Sequence, residues 1–426
     1  MTARYTDALL RAIEEHSRIN SIYLSAFAAQ NGCISKKLLP AFVSAPVGKV
    51  KGHKLHQRVI DDLLQQKIIG DFDERHWILN EAFNNSSSNI SRAAGIEVAK
   101  RQIINDFASW AGKLNLTAYN SVHILDEKAE FANFRWAFTA PSYAHPLYDS
   151  KKNSPGFVVA DVFYGKLATV QDIRFFIDKV NIIRSFKNVR DFLPVFIVDR
   201  VNPDALELLK EHKVIVAFIN NIFDNRYSEL LGDIVNLFAN ATAIILNNPG
   251  ELERFFADLE KAEGKFNTLA GDMFELLVGH YYQGIGCNFL KMKQIIQIPG
   301  EKFQQREIDV FAVKDGQLYI VECKATSAMI DFDFAEKWLG TIIPQTRKWL
   351  LESDWRSDTV VFQLWSLGGF TEKAEELLRS RQKSVSKYKI EFFTKEDMRN
   401  MARANNARLF LSVIDQHFGK RGQKYA

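Results

Sequence analysis

The stretch REIDVFAVKDGQLYIVECKA, residues 306–325, places charged side chains inside an otherwise apolar segment. Two runs rich in β-branched and aromatic residues flank Asp315-Gly316, which is a strong two-residue turn signal. The pattern predicts a β-hairpin. Because side chains alternate along a strand, Glu322 and Lys324 point the same way, and Asp309 on the partner strand folds back beside them. The hairpin therefore gathers two carboxylates and an ammonium into one patch.

The surroundings of this patch favour a functional explanation for its charges. The segment LYIVECKA lacks the polar alternation of a half-solvated strand and is typical of a central strand covered on both faces. Charges buried there are costly unless they pair or hold a metal. The alternative is a charge pair on a solvated sheet face, which is common and contributes little to stability.

Composition limits the kind of protein that could hold such a cluster. The chain has 426 residues and 47% hydrophobic content, enough for two or three globular domains. A net charge of +4 is a weak argument for a nucleic-acid partner, so the local charge distribution has to decide. The three cysteines are scattered, which excludes a disulfide framework and a zinc spacing. No apolar run approaches the length of a bilayer span, so we expect a soluble, cytoplasmic protein without a membrane partner.

Two breaks divide the sequence. The Asn/Ser-rich stretch NEAFNNSSSNISRAAG, residues 80–95, is typical of a linker, and a second break lies near LNNPGELERF, residues 246–255. The sequence therefore predicts three domains, over residues 1–88, 89–247 and 248–426.

The first domain has the order of a winged helix-turn-helix. An opening helix over 4–17 precedes SIYLSAFAAQNG, a further helix in GHKLHQRVIDDLLQQKII and a short two-stranded wing in GDFDERHWIL. The basic stretch before and within the predicted recognition helix suits phosphates and base edges. The predicted DNA contacts are Lys49, Lys51, Lys54 and Arg58. Small winged helices also serve as protein-docking modules, which is the alternative for this domain.

The third domain alternates strands with helices, which predicts α/β architecture. A helix in GKFNTLAGDMFELLVGHYYQ carries Gly271 and, four residues later, Glu275 on the same face. A strand at FLKMKQIIQI, the charged hairpin, a helix, the strand TVVFQLW, a helix over 371–383, the strand YKIEFF and a basic C-terminal helix follow.

This order resembles the PD-(D/E)XK nuclease superfamily, especially its Mrr-like and resolvase-like branches. The family pattern is a helix glutamate, a strand aspartate and Glu-x-Lys on the next strand, matched by Glu275, Asp309, Glu322 and Lys324. Ile308 stands where the family name has proline. Gln345, followed by Trp349, is similar to the Gln-xxx-Tyr element of RecB-like relatives, with Trp in place of Tyr.

The resemblance implies metal-dependent hydrolysis of phosphodiester bonds. Asp309 and Glu322 would hold Mg²⁺ or Mn²⁺, Glu275 would ligate directly or through water, and the carbonyl of Cys323 would add a ligand. Lys324 would orient or deprotonate water, or stabilise the pentacovalent oxyanion. The implied catalytic residues are Glu275, Asp309, Glu322, Lys324 and Gln345. The Cys323 thiol is predicted to be core.

The middle domain is predicted to repeat the third, element for element, which indicates a duplication. Asp161 falls where Glu322 sits, but Phe163 replaces the lysine and Arg135 stands where Asp309 is expected. Its metal site is therefore predicted to be dismantled. The predicted fold is a winged helix-turn-helix followed by two tandem restriction-endonuclease-like mixed-sheet domains, the first degenerate.

The C-terminal tail suits a polyanionic partner, because residues 379–426 contain twelve Lys/Arg and four Asp/Glu. We therefore expect a metal-dependent DNA endonuclease, in a restriction or defence role. A homodimer is expected by analogy, because many nucleases of this fold cut duplex DNA in pairs. The alternatives are a nuclease of DNA repair or transposition, and a non-catalytic winged-helix regulator whose nuclease-like domains are interaction platforms.

Overall fold

The computed structural model describes residues 12–13, 15–73, 75–80, 83, 90–118, 121–261, 273–298, 305–326, 328–353, 355 and 359–417. The chain divides into two compact units, residues 1–239 and 240–426. Helices and mixed sheets in both units confirm the α/β prediction. The predicted break near 246–255 lies just after this division, and the boundary predicted between 88 and 89 falls inside the first unit. Most of the opening helix predicted over 4–17, and Gly271, lie outside the described residues.

No described helix is by itself long and apolar enough to cross a membrane. The helices Asn225–Ala239 and Ala241–Asn247 reach that length and hydropathy only as a bent pair.

The first unit begins with short elements around a small sheet. They are α1 (Arg18–Ala29), β1 (Cys33–Ser35), a 3-10 turn (Leu39–Phe42), α2 (His56–Gln65), β2 (Ile69–Asp71) and β3 (His76–Leu79). The strands pair antiparallel in the order β1-β3-β2, so that β2 and β3 form the hairpin predicted at GDFDERHWIL. Phe27, Ile60 and Leu63 are buried in this part of the unit.

The rest of the first unit is a five-stranded sheet with helices. Its elements are α3 (Ile90–Lys113), β4 (His123–Ile124), β5 (Glu130–Phe131), β6 (Phe134–Arg135), β7 (Phe138–Ser142), β8 (Gly156–Phe163), α4 (Val170–Arg184), β9 (Phe192–Val198), α5 (Pro203–Glu211), β10 (Ile215–Phe218), α6 (Ile219–Ile222) and α7 (Asn225–Ala239). The sheet order is β4-β7-β8-β9-β10, antiparallel from β4 to β8 and parallel from β8 to β10. Helix α3 packs closely on α7, since a Cβ at Gly95 would lie 3.0 Å from Val235 Cα.

Polar contacts join the two parts of the first unit. Arg18 Nε in α1 donates to Asp178 Oδ2 in α4 at 3.0 Å, and Ser25 Oγ donates to Asp172 Oδ1 at 3.2 Å. Lys179 Nζ in α4 reaches the 3-10 turn and donates to the Ala41 carbonyl at 2.7 Å. The N-terminal elements are therefore packed on α4, and removing residues beyond 88 would expose this surface.

A buried ion pair lies beneath that contact. Asp161 in β8 and Lys179 in α4 are paired, and both side chains are 0% exposed. Lys179 also donates to the Arg135 carbonyl at 3.1 Å, and its ammonium lies 4.2 Å from the centre of the Trp136 ring. Burial raises the pKa of Asp161 to about 6, although the Lys179 ammonium opposes the rise. The charges of this pair are thus satisfied entirely within the unit.

The second unit is built on a second five-stranded sheet. Its elements are α8 (Ala241–Asn247), α9 (Pro249–Lys261), α10 (Phe274–Gly284), β11 (Phe289–Gln297), β12 (Gln305–Lys314), β13 (Gln317–Lys324), α11 (Phe332–Lys337), a π-helical turn (Trp338–Ile342), α12 (Ile343–Glu352), β14 (Thr359–Ser366), α13 (Glu372–Ser384), β15 (Lys389–Phe393), α14 (Lys395–Ala404) and α15 (Arg408–His417). The sheet order is β11-β12-β13-β14-β15. Neighbouring strands pair antiparallel from β11 to β13 and parallel from β13 to β15. Both large sheets therefore share one order of strand directions.

The predicted charged hairpin is confirmed as β12 and β13. Lys314 pairs with Gln317 across a two-residue turn. Asp315 and Gly316 have φ of 50° and 74°, the left-handed conformation that this tight turn requires and that Asp and Gly tolerate best.

Helices cover both faces of the central strand β13. On one face, Tyr282 of α10 packs on Tyr319 and donates its hydroxyl to Gln363 of β14. On the other, Ile320 belongs to the apolar core formed with α11, α12 and α13, which includes Trp338. This double burial is what the continuous apolar run of β13 predicts.

Candidate active site

Acidic side chains from one helix and two strands converge in the second unit. Glu275 lies in the first turn of α10, Glu307 and Asp309 lie on β12, and Glu322 lies on β13. One carboxylate oxygen from each of Glu275, Glu307 and Asp309 lies within 4.8 Å of the other two. Within the described part of the chain, no further group of three metal-ligating side chains is this close. We call these three residues the carboxylate trio.

A backbone irregularity positions the trio. Met292 pairs with Val310 and Gln294 with Ile308, but the ladder passes over Lys293 and Asp309 between them. Lys293 has φ of 52°, a left-handed conformation that costs a non-glycine residue on the order of 1–3 kcal/mol. Such strain inside a strand persists only where the surrounding structure imposes it.

The irregularity changes the sheet face on which side chains lie. Before it, Met292 faces α10, where a Cβ at Gly279 would meet its sulfur. After it, Ile296 belongs to the core beneath α11 to α13. On β12, Ile308 belongs to that same core, so its neighbour Glu307 is directed to the α10 side, where Glu275 lies. The switch therefore brings a strand carboxylate and a helix carboxylate together.

Asp309 is the most buried member of the trio, with 9% exposure. Its Oδ2 accepts a hydrogen bond from the Cys323 backbone N–H at 2.6 Å. Burial, followed by the charges of Glu275 and Glu322, raises its pKa well above the ordinary range of an aspartate. Both causes disfavour the ionised carboxylate, and a cation bound beside it would oppose them.

Lys293 lies against the other two carboxylates of the trio. Its Nζ is 2.6 Å from Glu275 Oε2 and 3.0 Å from Glu307 Oε1, and the side chain is 7% exposed. Burial alone would lower its pKa, but Glu275, Glu307 and Asp309 outweigh burial and raise the pKa well above the ordinary value. The side chain is therefore held as an ammonium.

Glu322 and Lys324 form a second pair beside the trio. Lys324 Nζ lies 2.5 Å from Glu322 Oε1, and the ammonium lies 4.9 Å from the centre of the Phe334 ring. Glu322 is outside the trio defined by the 4.8 Å limit, yet its charge is close enough to raise the pKa of Asp309. The four residues matched to the nuclease pattern thus lie near one another, with Glu322 turned towards the lysine.

The remaining predicted site residues have other neighbours. Gln345 Oε1 accepts from Arg306 Nη2 at 2.9 Å, which ties α12 to β12. The Cys323 thiol is buried, as predicted, and burial followed by the charge of Asp309 raises its pKa well above the ordinary value. A protonated, enclosed thiol is a poor nucleophile.

The trio suits a hard divalent cation. Three carboxylates supply oxygen ligands of the kind that Mg²⁺ and Mn²⁺ prefer. The donor set therefore fits the predicted metal, with Glu307 as a further candidate ligand.

Sequence reasoning missed Glu307 and Lys293. Glu307 stands two residues before Asp309 and one residue ahead of the predicted strand, which begins at Ile308. Extending that strand to Glu307 would have placed both carboxylates on one face by alternation. The position of Lys293 could not be predicted in this way, because a lysine within a strand sequence gives no indication of a left-handed backbone.

The predicted DNA contacts lie at the surface of the first unit. Lys49, Lys51, Lys54 and Arg58 are exposed, and Lys54 Nζ is paired with Asp62 Oδ2 at 2.9 Å.

His56, in the same basic stretch, points inwards instead and forms a hydrogen bond of 2.7 Å with the Tyr23 hydroxyl. Burial, followed by the charge of Arg135, lowers its pKa to about 4. His56 is therefore a packing residue of α2 and carries no charge toward a polyanion near neutral pH.

No protein-family description and no curated protein matches the chain. Among solved structures, it is similar to one titled "Crystal Structure of Protein of Unknown Function AF1548", with 20% identity and a TM-score of 0.18. The match covers 26% of this chain and 57% of that one, and it carries no argument about fold or function.

Proposed function

We propose that the protein is a metal-dependent endonuclease that hydrolyses phosphodiester bonds in DNA. The observation that carries the proposal is the carboxylate trio beside the Glu322–Lys324 pair on a covered hairpin. It agrees with the resemblance of this segment to PD-(D/E)XK nucleases. A restriction or defence role is the role we favour.

Each residue has a chemical part in this proposal. A bound Mg²⁺ or Mn²⁺ would polarise the phosphate and lower the pKa of a water molecule. Asp309 would hold the ion together with Glu275 or Glu307, and Glu322 would either complete the ligand set or hold Lys324. Lys324 would orient or deprotonate water, or stabilise the charge that develops on the phosphate oxygens.

We also propose that the chain is a winged helix followed by tandem nuclease-like sheets, of which the first is silent. The shared order of strand directions supports the duplication. If Asp161 corresponds to Glu322, extending both registers by one residue puts Ala137, and not the predicted Arg135, in the position of Asp309. The Ala137 N–H donates to Asp161 Oδ1 at 2.7 Å. The Asp161 carboxylate is paired with Lys179 and fully buried, so a metal ion has no access to it.

A silent first sheet leaves one catalytic centre per chain. Cleavage of both DNA strands would then require two chains or two successive nicks, which is why we propose that a homodimer cuts duplex DNA. Size-exclusion chromatography with light scattering, in the presence of duplex DNA and Ca²⁺, would show the stoichiometry.

The exposed basic residues of the first unit should supply affinity for duplex DNA. Replacing Lys49, Lys51 and Arg58 together by Ala should weaken DNA binding at least about tenfold at 0.1 M salt. It should also reduce the slope of log affinity against log salt concentration by about two to three, because binding with fewer phosphate contacts releases fewer counterions. Fluorescence anisotropy across a salt series measures both quantities. The full-length chain is used, because residues 1–88 alone would expose their contact with α4.

The matched control for this prediction replaces three exposed lysines of the same unit, Lys151, Lys187 and Lys210, by Ala. An equal loss of affinity in the control would mean that overall charge, and not this surface, binds DNA.

The nuclease proposal is tested by incubating the purified protein with supercoiled plasmid, methylated and unmethylated, in Mg²⁺, Mn²⁺ or EDTA. Nicked and then linear plasmid should accumulate with the metals and not with EDTA. Preference for flaps or branched DNA over both plasmids would favour a repair or transposition nuclease.

One observation favours the non-catalytic regulator as a second candidate, namely the Lys293 ammonium between two carboxylates of the trio. Tight duplex binding with no cleavage in either metal would support that candidate and reject the nuclease.

A further inference from the structure

Lys293 occupies the position of a counter-ion in the carboxylate trio. Its ammonium contacts Glu275 Oε2 and Glu307 Oε1 at 2.6 and 3.0 Å, and its side chain is almost enclosed. A single positive charge that belongs to the chain therefore already contacts two of the three candidate metal ligands.

The backbone conformation of this residue is what puts the ammonium there. Residues 292 and 294 pair regularly with β12, whereas Lys293 interrupts the ladder with φ of 52°. The interruption lies opposite Asp309 and coincides with the change of sheet face that brings Glu307 to Glu275. The strained backbone, the ammonium and the trio thus form one arrangement.

The first unit shows that this chain can neutralise a strand carboxylate with a lysine. Lys179 pairs with Asp161, and there the pair is sealed from solvent. At the trio the enclosure is incomplete, because the Glu275 and Glu307 side chains are 24% and 21% exposed. A cation from solution can therefore reach the trio, where it meets the ammonium.

We propose that Lys293 is an internal cation that holds the trio together in the metal-free protein and lowers its affinity for divalent ions. Lys293 is thus a positioning residue that sets the metal concentration at which the site fills. This inference rests on the proposed metal centre. The physical reason is that an ammonium and a divalent ion on the same carboxylates repel each other strongly in a poorly solvated site.

The test is Mn²⁺ binding by the whole chain without DNA. Electron paramagnetic resonance measures the free Mn²⁺ that remains in each titration. Lys293→Met should bind Mn²⁺ about tenfold or more tightly than the unaltered protein, because the competing charge is gone. The metal-free variant should melt at a lower temperature, because three carboxylates then repel one another, and Mn²⁺ should raise its melting temperature more than that of the unaltered protein.

Two further variants keep the test decisive. Lys291→Met, an exposed lysine two residues earlier on β11, should leave the Mn²⁺ affinity unchanged. Lys293→Gln removes the charge but keeps a polar group, and it replaces Lys293→Met if that variant does not fold.

Unchanged or weaker Mn²⁺ binding by a folded Lys293 variant would overturn the inference, while metal-dependent cleavage by the unaltered protein would leave the nuclease proposal standing. Absence of Mn²⁺ binding in every protein would overturn both.

Discussion

Replacing Asp309 by Asn should lower the rate of Mg²⁺-dependent DNA cleavage by about a thousandfold or more. The carboxylate lies at the centre of the charged cluster, where Glu275, Glu307 and Glu322 surround it, and a neutral amide there removes a ligand and the charge that attracts the ion. The Cys323 N–H, which donates to Asp309, can still donate to the side-chain amide oxygen of the introduced Asn, so the fold should persist. Single-turnover cleavage of end-labelled duplex DNA measures the rate, and circular dichroism checks the fold.

Lys324→Met should lower the same rate by about a hundredfold without weakening Mn²⁺ binding, because the ammonium acts on water or the transition state and not on the metal. The matched controls are Asp315→Asn and Lys314→Met at the exposed turn of the same hairpin, which should cleave at the unaltered rate. Near-normal cleavage by folded Asp309→Asn protein would reject this site as the catalytic centre. Recovery of the full cleavage rate of Lys324→Met by extra metal alone would contradict the role given to the lysine.

The second large effect concerns stability. Replacing Asp161 by Asn, or Lys179 by Met, should each destabilise the first unit by about 3–5 kcal/mol, because either change leaves one buried charge without its partner. The double replacement should cost much less than the sum, since no uncompensated charge remains. Urea unfolding measures the loss, and hydrogen exchange in peptides covering β8 and α4 locates it.

Lys187→Met is the control, because it removes an exposed lysine just beyond the same helix. Strictly additive effects of the Asp161 and Lys179 replacements would show that the ion pair contributes no coupling energy. Retained cleavage by the folded double variant is also expected, because the proposed centre lies in the other unit.

The parts of the fold with strong local signals could be predicted from the sequence. Asp315-Gly316 between apolar runs fixed the turn and register of β12 and β13, because few other residues adopt its left-handed backbone. The same local pattern placed β14 and α13 within a residue or two. These elements depend on periodicity and turn chemistry, which neighbouring residues decide.

Features decided by distant residues could not be predicted. Lys179 is separated in sequence from Asp161 and from Ala41, and nothing local distinguishes it from a surface lysine on α4. The partners of Lys293 could not be predicted for the same reason. Its ammonium contacts Glu275 and Glu307 because its backbone is left-handed, a conformation that lysine does not favour. Charged residues therefore limited the sequence analysis most, because their partners are set by tertiary packing.

The proposed cleavage requires a divalent ion bound at Asp309, and anomalous diffraction from crystals soaked in Mn²⁺ tests this most directly. We expect an anomalous peak within bonding distance of an Asp309 carboxylate oxygen and of Glu275 or Glu307. Absence of a peak at saturating Mn²⁺, with the Lys293 ammonium still between Glu275 and Glu307, would reject the metal centre.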